Sequence, residues 1–308
     1  MRIHEDAEGW YKFEAVRPDG TKRVLADWFP NLITDAGLER MASNSDWLGY
    51  CQVGSGNNPP NVLDTALANR VGSSNTAQAS ASGAQAEEPY FCWQRRTVRF
   101  AEGVAAGNLS EVGMGWTSSG NLFSRALILD SEGNPTTITV AADEILDVTY
   151  EFRFYPRLTD VTGSVTLTGN IAGTYDYVMR AASVTSSSSS SGWYIAGTGI
   201  DMGSSGWPST YAYNGEIGPV TGAPSGQLSN AASITASPYS SGSLEREFVA
   251  VWGPNNGNLA GGIRSFRLRM GIGTFQFRVG LQGTDATIPK TDQDELSLKF
   301  VHSWGRRS

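Results

Sequence analysis

The chain has 308 residues, of which 40% are hydrophobic and only 17% are charged, and its formal net charge at pH 7 is −7. The charged fraction lies well below the roughly 25% of an average globular chain, which argues against a mainly helical protein with a Glu-, Lys- and Arg-rich surface. The acidic balance argues against a nucleic-acid-binding protein, because such proteins carry a basic face. The 36 glycines and 9 tryptophans favour sheets joined by tight turns.

The N-terminal residues Met1 to Asp6 contain no apolar segment typical of a secretory signal. No apolar run approaches the ~20 residues that a membrane span needs. We therefore expect a protein that is made in the cytoplasm and does not insert into a membrane. Cys51 and Cys92, the two cysteines, are compatible with one disulfide or with two buried free thiols, and cytoplasmic assembly favours the thiols.

The first predicted elements are a β-hairpin over residues 10–28, which turns at Pro18-Asp19-Gly20-Thr21, and a short helix over residues 34–41 with Thr34 as its N-cap. Residues 63–70 are compatible with a second short helix or with irregular structure. Residues 71–88 are rich in Ser, Ala and Gln and predict an extended surface loop.

Strands are predicted next over residues 90–100, 110–116, 121–129, 136–140 and 145–155. The last is the clearest, because Asp147, Thr149, Glu151 and Arg153 alternate with apolar residues and share one face.

The composition of the sequence changes near residues 156–160, which predicts a boundary between two β domains, residues 1–158 and 159–308. In the second, a hairpin is predicted over residues 161–178, with its turn near Gly169-Asn170. The serine run from Ser186 to Ser191 predicts a flexible loop. Further strands are predicted over residues 244–252, 264–271, 274–281 and 295–302, with a hairpin turn at Gly271-Ile272-Gly273. The fold class is therefore all-β, an antiparallel β-sandwich or jelly-roll-like arrangement with one or two short helices near the N-terminus.

No pattern of residues predicts a catalytic, cofactor or metal site. His4 and His302, the two histidines, lie at opposite ends of the chain, and no cluster has zinc-ligand spacing. The carboxylate pairs Asp143/Glu144 and Glu245/Glu247 have the residue types that a glycosidase needs, but any β protein offers such pairs on solvated faces. We therefore predict that the chain is not an enzyme and uses no cofactor.

Aromatic residues accumulate in the Gly- and Ser-rich part of the second half. Exposed aromatic side chains on loops can stack on sugar rings, whereas buried ones anchor weakly specified loops or pack against a neighbouring subunit. Packing is the favoured interpretation, and receptor or glycan contact is the alternative. The residues concerned are Trp193, Tyr194, Trp207, Tyr211 and Tyr213, with Tyr239 nearby.

Three stretches resemble a group of tail proteins of tailed bacteriophages and prophages, described as tail-fibre or minor tail proteins. They are residues 28–38 with Val53-Gly54-Ser55-Gly56, residues 103–113, and residues 122–130 continuing through Gly133-Asn134-Pro135 to residues 146–151. The resemblance covers roughly residues 20–180 and carries no catalytic signature. Within it, Glu111 and Arg125 are predicted to pair, across strands or across a subunit contact.

The resemblance implies a virion structural protein located in the phage tail, at the tail tip, the baseplate or the fibre attachment. Such a protein is expected to form a homo-oligomer, a trimer or ring, and to dock other tail proteins. One alternative is a host receptor- or glycan-binding adhesin of the tail, and others are a capsid decoration protein and a polysaccharide depolymerase.

Overall fold

The computed structural model describes residues 1–188, 192–195, 197–199, 202, 209–231 and 233–307. Within these ranges nearly all regular structure is β, with one α-helix, α1 (Asp35–Met41), and one 3-10 helix (Gly169–Ile171). The strands are β1 (Arg2–Val16), β2 (Lys22–Pro30), β3 (Leu32–Ile33), β4 (Tyr50–Gly54), β5 (Arg70–Ser74), β6 (Ala77–Ala84), β7 (Cys92–Phe100), β8 (Gly107–Leu109), β9 (Glu111–Gly115), β10 (Leu122–Leu127), β11 (Ile138–Val140), β12 (Ile145–Pro156), β13 (Val161–Leu167), β14 (Gly173–Ala181), β15 (Ser209–Tyr213), β16 (Leu228–Asn230), β17 (Ser233–Ala236), β18 (Glu245–Trp252), β19 (Ser265–Arg269), β20 (Thr274–Leu281) and β21 (Leu296–Arg306).

These strands form four sheets. The largest has eight strands in the order β17-β18-β21-β1-β12-β7-β6, with β2 paired beside the second half of β1. A five-stranded sheet has the order β3-β10-β9-β4-β5, a six-stranded sheet the order β13-β14-β20-β19-β15-β16, and β11 pairs with β8. Most pairings are antiparallel, and the all-β, sandwich-like prediction is confirmed.

The hydrophobic core lies on one face of the eight-stranded sheet, which we call its inner face. Phe152 of β12 makes edge-to-face contacts there with Trp47 and Phe123 of the five-stranded region, at centroid distances of 4.8 and 5.6 Å. Farther along the same face, Phe300 of β21 contacts Phe277 of β20 at 5.2 Å. The five- and six-stranded sheets thus cover the inner face, and the opposite, outer face remains solvated.

The first predicted elements are confirmed. β1 and β2 form the hairpin, and Asp19 Oδ1 accepts hydrogen bonds from the backbone N–H and the hydroxyl of Thr21 in its turn. Helix α1 begins after Thr34, whose hydroxyl oxygen accepts a hydrogen bond from the Gly37 N–H. Both Cys51 and Cys92 are buried free thiols, as predicted, and burial raises the pKa of each.

The surface loop predicted over residues 71–88 is wrong for most of its length, because β5 and β6 lie there. Residues 63–70, in contrast, are irregular up to the first residue of β5. β6 consists of small residues and pairs with β7 along the edge of the large sheet. Its backbone hydrogen bonds, rather than side-chain burial, make it a strand, which explains why a pattern based on hydrophobic alternation missed it.

The predicted strands of the second half are confirmed as β13, β14, β18, β19, β20 and β21. The β13–β14 connection runs through Gly169, and the β19–β20 turn through Gly273; both glycines have positive φ, +78° and +89°. The serine run predicted to be flexible lies partly outside the described residues, which stop at Ser188 and resume at Gly192.

The large sheet takes strands from both halves of the chain. β17, β18 and β21 come from residues after 158, and the other five strands from residues before it. β1 and β21 pair in parallel, from Arg2 with Val301 to Ala7 with Arg306. The predicted division into residues 1–158 and 159–308 therefore separates strands that share one sheet, and the presence of two domains stays a prediction.

Where the two ends of the chain pair, an ionisable pair points into the core. His302 Nε2 and Glu5 Oε2 lie 2.9 Å apart, and both side chains are fully buried. Burial raises the pKa of Glu5, while its contacts with His302 oppose that shift. The second carboxylate oxygen of Glu5 and the other ring nitrogen of His302 have no hydrogen-bond partner, so this pair is incompletely satisfied.

The predicted pairing of Glu111 with Arg125 is confirmed within the chain. Arg125 Nε and Nη2 donate to Glu111 at 3.1 and 2.8 Å, and both side chains are buried. The carboxylate also accepts hydrogen bonds from the backbone N–H groups of Gly56, Ala68 and Asn69. We call Glu111, Arg125 and these three backbone donors the loop-holding network, because it fixes residues 56–69 against β9 and β10.

In the part of the chain that the structure describes, no helix has the length and apolar character to cross a membrane.

Candidate functional site

The outer face of the large sheet carries an unusual combination of side chains where β1, β12 and β7 lie side by side. Alternation on each strand sends apolar residues inward and leaves aromatic and charged residues outside. In the strand registers, Trp10, Glu151 and Arg95 lie side by side in one row across the three strands. Arg153 and Trp93 lie side by side in the next row. We call the surface formed by the following residues the tryptophan–arginine face: Trp10, Trp28, Phe91, Trp93, Arg95, Asp147, Glu151 and Arg153.

Two arginines of this face are each stacked between two aromatic rings. The Arg95 guanidinium carbon lies 4.7 Å from the ring centroid of Trp93 and 5.4 Å from that of Trp28. Arg153 is placed in the same way, 4.7 Å from Phe91 and 5.1 Å from Trp10. These distances are within the range of cation–π attraction, which therefore helps to fix the positions of both guanidinium groups.

Two carboxylates beneath the arginines complete the ion pairs. Glu151 accepts hydrogen bonds from both Arg95 and Arg153. Asp147 accepts two from Arg99, at 2.8 and 2.7 Å, and these bonds raise the pKa of Arg99. Glu151 and Asp147 are each only 1% exposed, although they lie on the solvated side of the sheet. The arginines thus cover the acids, and the charges of the face are paired internally.

The edge strand β6 leaves room for these side chains because it consists mainly of small residues. Gly83 lies opposite Trp93, and a Cβ at Gly83 would come within 2.6 Å of the indole ring. The next outward position on β6 is Ala81, opposite Arg95. The composition that had predicted a loop therefore gives the indole and guanidinium groups room to lie against the edge of the sheet.

The structure describes four of the five residues predicted for receptor or glycan contact, and Trp207 lies outside the described residues. Trp193 is 1% exposed, and its indole N–H donates to the Ala182 carbonyl at 2.7 Å. Tyr213 is also buried, whereas Tyr194 and Tyr211 are half-buried. For Trp193 and Tyr213 the favoured interpretation, packing, is therefore confirmed, and receptor contact by Tyr194 and Tyr211 stays a prediction.

Three of the four carboxylates in the pairs Asp143/Glu144 and Glu245/Glu247 are engaged with basic side chains. Glu144 accepts hydrogen bonds from Arg23 at 3.2 and 2.9 Å. Glu245 pairs with Arg2, and Glu247 lies 2.6 Å from Lys299. Each of these three carboxylates thus has a structural partner.

A Ser–His–Asp constellation is present on the outer face, although no pattern in the sequence predicted a catalytic site. His4 Nδ1 lies 2.9 Å from Ser303 Oγ, and His4 Nε2 lies 3.3 Å from Asp6. The Ser303 hydroxyl, however, donates to the Ile3 carbonyl at 3.0 Å. The proton that a nucleophilic serine must give to histidine is therefore engaged with the backbone. In the described part of the chain no group of His, Cys, Asp and Glu is arranged to hold a metal ion.

Sequence reasoning missed the tryptophan–arginine face as a unit. It placed Asp147, Glu151 and Arg153 on one face of β12, but it did not identify the neighbouring strands. The sequence does show that Trp93 and Arg95 are two residues apart and so share one face of β7. Glu151 and Arg153 share one face of β12 in the same way. Strand order, which long-range pairing determines, was needed to bring them together.

Comparisons of the chain with protein-family models, with curated proteins and with solved structures find no match.

Proposed function

We propose that the chain is a structural protein of a bacteriophage tail that assembles with copies of itself and with other tail proteins. The resemblance of residues 20–180 to tail proteins supports the class of protein. The observation that carries the proposal is the tryptophan–arginine face. Trp and Arg are among the residues that dominate protein–protein interfaces, and this face concentrates them on one side of a broad sheet.

Internal charge pairing fits such an assembly surface. Covering an unpaired charge costs several kcal/mol, so a surface destined for burial needs its charges matched. On this face Glu151 and Asp147 already have arginine partners. The indole faces also carry guanidinium groups, which leaves less ring area for sugars to stack on. Both features favour a protein partner over a glycan.

The direct test is cryo-electron microscopy of purified particles of the phage or prophage that encodes the chain. We expect density for several symmetry-related copies in the tail. A capsid position, or absence of the protein from the particle, would contradict the proposal.

A variant tests the role of the face. We expect the Trp93→Ala/Arg95→Ala chain to fold but to be depleted from assembled tails. The matched control is Trp116→Ala, which removes a tryptophan stacked with an arginine elsewhere, Arg40 at 5.1 Å. Circular dichroism of both purified variants checks folding, and quantitative mass spectrometry of tails measures incorporation. Equal incorporation of the two variants would remove the face from the proposal.

A further inference from the structure

The large sheet ends at β6, whose outer edge is open. β6 pairs with β7 on one side and is the last strand in the order of the sheet. The Gln85 N–H donates to the Phe91 carbonyl at 2.8 Å, so alternation along the strand directs the backbone groups of Ala84, Ser82 and Ser80 away from β7. Within the described residues no backbone hydrogen bond reaches these groups. They can therefore pair with a further strand.

β6 also has few of the features that normally protect an edge strand. Exposed edges are usually short or carry charged residues or proline. β6 has 8 residues, and none of them is charged or proline. Its one irregularity, between Ala77 and Ala79, lies at the beginning of the strand. The first five residues are exposed and the last three half-buried, so the chain itself does not cover the edge.

A buried guanidinium group lies at the beginning of β6 and has no carboxylate beside it. Arg96 of β7 is 9% exposed. Its Nη2 donates to the carbonyl of the exposed residue Asn75 at 3.2 Å, whereas its buried Nε has no hydrogen-bond partner. Burial lowers the pKa of Arg96, and no acidic side chain of the described residues opposes that shift. A buried cation without a counter-charge is unfavourable, so this end of β6 favours an incoming carboxylate.

Carboxylates without partners lie at the opposite end of β6. Glu87 and Glu88 follow the strand in the bend that leads to β7, and both are exposed. Within the described residues neither side chain forms an ion pair or a hydrogen bond. The exposed charges of the elements next to the Arg96 end, Arg70 on β5 and Glu102 after β7, have opposite signs. One end of β6 is therefore acidic, and the other has a net positive charge.

We propose that the β6 strands of two copies of the chain pair antiparallel, about a two-fold axis that is perpendicular to the sheet and passes beside Ala81. The axis places the acidic end of each β6 next to the Arg96 end of the other. The uncharged small residues between the two ends meet their own copies without repulsion. The contact is thus self-complementary, as a two-fold interface requires. This inference rests on the proposed function, in which the chain assembles with copies of itself.

The spacing along the chain favours a second copy over an unrelated strand. Glu87 lies six residues after Ala81, and Asn75 lies six residues before it. A pairing centred on Ala81 therefore sets Glu87 of one copy opposite Asn75 of the other, where the Arg96 guanidinium lies. An unrelated strand could use the same backbone groups, but this chain supplies a carboxylate at the matching distance from the axis. The tryptophan–arginine faces of the two copies would then point to the same side of one continuous sheet.

The first experiment measures dimerisation of the full chain by sedimentation equilibrium over a range of concentrations. We expect a monomer–dimer equilibrium that Glu87→Lys weakens by roughly tenfold or more, because it places a second cation beside Arg96. The matched control is Glu132→Lys, which makes the same charge change at an exposed turn away from β6. A wild-type chain that stays monomeric, or equal weakening by the two substitutions, would overturn the inference.

The second experiment tests the register with two single-cysteine variants, Ala81→Cys and Ala79→Cys. Ala81 and its own copy would form a non-hydrogen-bonded pair with Cα atoms about 4.5 Å apart, which is within the range of a disulfide. Ala79 and its own copy would be four residues out of register, or about 13 Å apart along the strands. We expect a disulfide-linked dimer on air oxidation of Ala81→Cys and little from Ala79→Cys, read on a non-reducing gel. The native thiols do not interfere, since Cys51 and Cys92 are buried. Equal yields from the two variants would show that the proposed axis is wrong.

The inference and the proposed function fail separately. If the protein is found in the tail but the free chain is monomeric, the two-fold contact is wrong and the structural role stands. If the chain dimerises through β6 but is absent from particles, the contact stands and the role in the tail is wrong.

Discussion

Two regions of the molecule use the same arginine–carboxylate chemistry in different surroundings. In the loop-holding network, Glu111 is fully buried and receives three backbone N–H groups besides Arg125. On the tryptophan–arginine face, Glu151 is also almost fully buried, but its partner Arg95 has a side chain that is 46% exposed. The first carboxylate is enclosed by its own chain, and the second is covered only by arginines that face solvent. The difference indicates that the loop-holding network stabilises the fold. The tryptophan–arginine face, in contrast, is a surface whose charges are already paired and which another molecule can cover.

The largest effect on stability is expected in the loop-holding network. Substituting Glu111→Ala leaves the buried Arg125 with only one of its two carboxylate partners, Asp64 at 2.6 Å, and removes the acceptor of three backbone donors. Breaking one side of a buried pair typically costs about 3–5 kcal/mol. We expect a loss of that order in the free energy of unfolding, measured by urea denaturation.

The matched control on the surface is Glu216→Gln, because Glu216 also forms ion pairs with two arginines. Its side chain is 57% exposed and lies 3.3 Å from Arg264 and 2.8 Å from Arg278. Exposed pairs of this kind contribute roughly 0–1 kcal/mol. Similar losses for Glu111→Ala and Glu216→Gln would show that enclosure does not distinguish the network, and the comparison would fail.

The Glu5–His302 pair sharpens the comparison, because it is enclosed yet lacks backbone donors. Its raised Glu5 pKa has a definite consequence for stability. Between the ordinary value of 4.5 and the higher pKa in the folded chain, native Glu5 keeps a proton that the unfolded chain releases. The native state then binds more protons, so this group's contribution to stability falls as pH rises through that window.

We therefore expect the stability of the wild-type chain relative to Glu5→Gln to decrease from pH 4.5 towards neutrality. The slope is at most about 1.4 kcal/mol per pH unit for one group. Glutamine keeps a hydrogen-bonding side chain of similar shape but cannot titrate, so the ionisable groups that do not contact Glu5 cancel in the difference. Guanidinium denaturation at several pH values measures it. If the stability of the wild-type chain relative to Glu5→Gln stays constant or rises with pH, the contact with His302 and not burial governs the pKa of Glu5.

Much of the fold was accessible from the sequence, because local patterns determined it. The alternation in residues 145–155, the Pro18–Thr21 turn and the Thr34 cap each placed an element correctly. The pairing of Glu111 with Arg125 was also predicted, since both lie in neighbouring strands with a short connection. These successes involve residues close together in the chain.

The failures involve residues that only tertiary structure brings together. β6 has no hydrophobic pattern, and its strand character comes from pairing with β7. The parallel pairing of β1 with β21 joins residues about 300 positions apart, which no local pattern encodes. Trp193 illustrates the same limit for function. The sequence shows an aromatic residue in a polar segment, but only packing against Phe275 and Ala182 shows that it points inward.

The smallest effect is expected on the tryptophan–arginine face, between Trp93 and Arg95. A double-mutant cycle with Trp93→Ala, Arg95→Ala and the combined variant isolates their coupling energy. In the isolated chain the Arg95 side chain is 46% exposed and its guanidinium stays partly in water, so we expect a coupling of about 0.5–1 kcal/mol in urea denaturation. If the proposed assembly covers the face, the same pair becomes desolvated and its coupling energy should increase. A coupling of several kcal/mol in the isolated chain would show that the stack is part of the fold in the way the loop-holding network is. The face would then lose its main distinction, which is that its side chains are held in place before a partner arrives without being needed to keep the monomer folded.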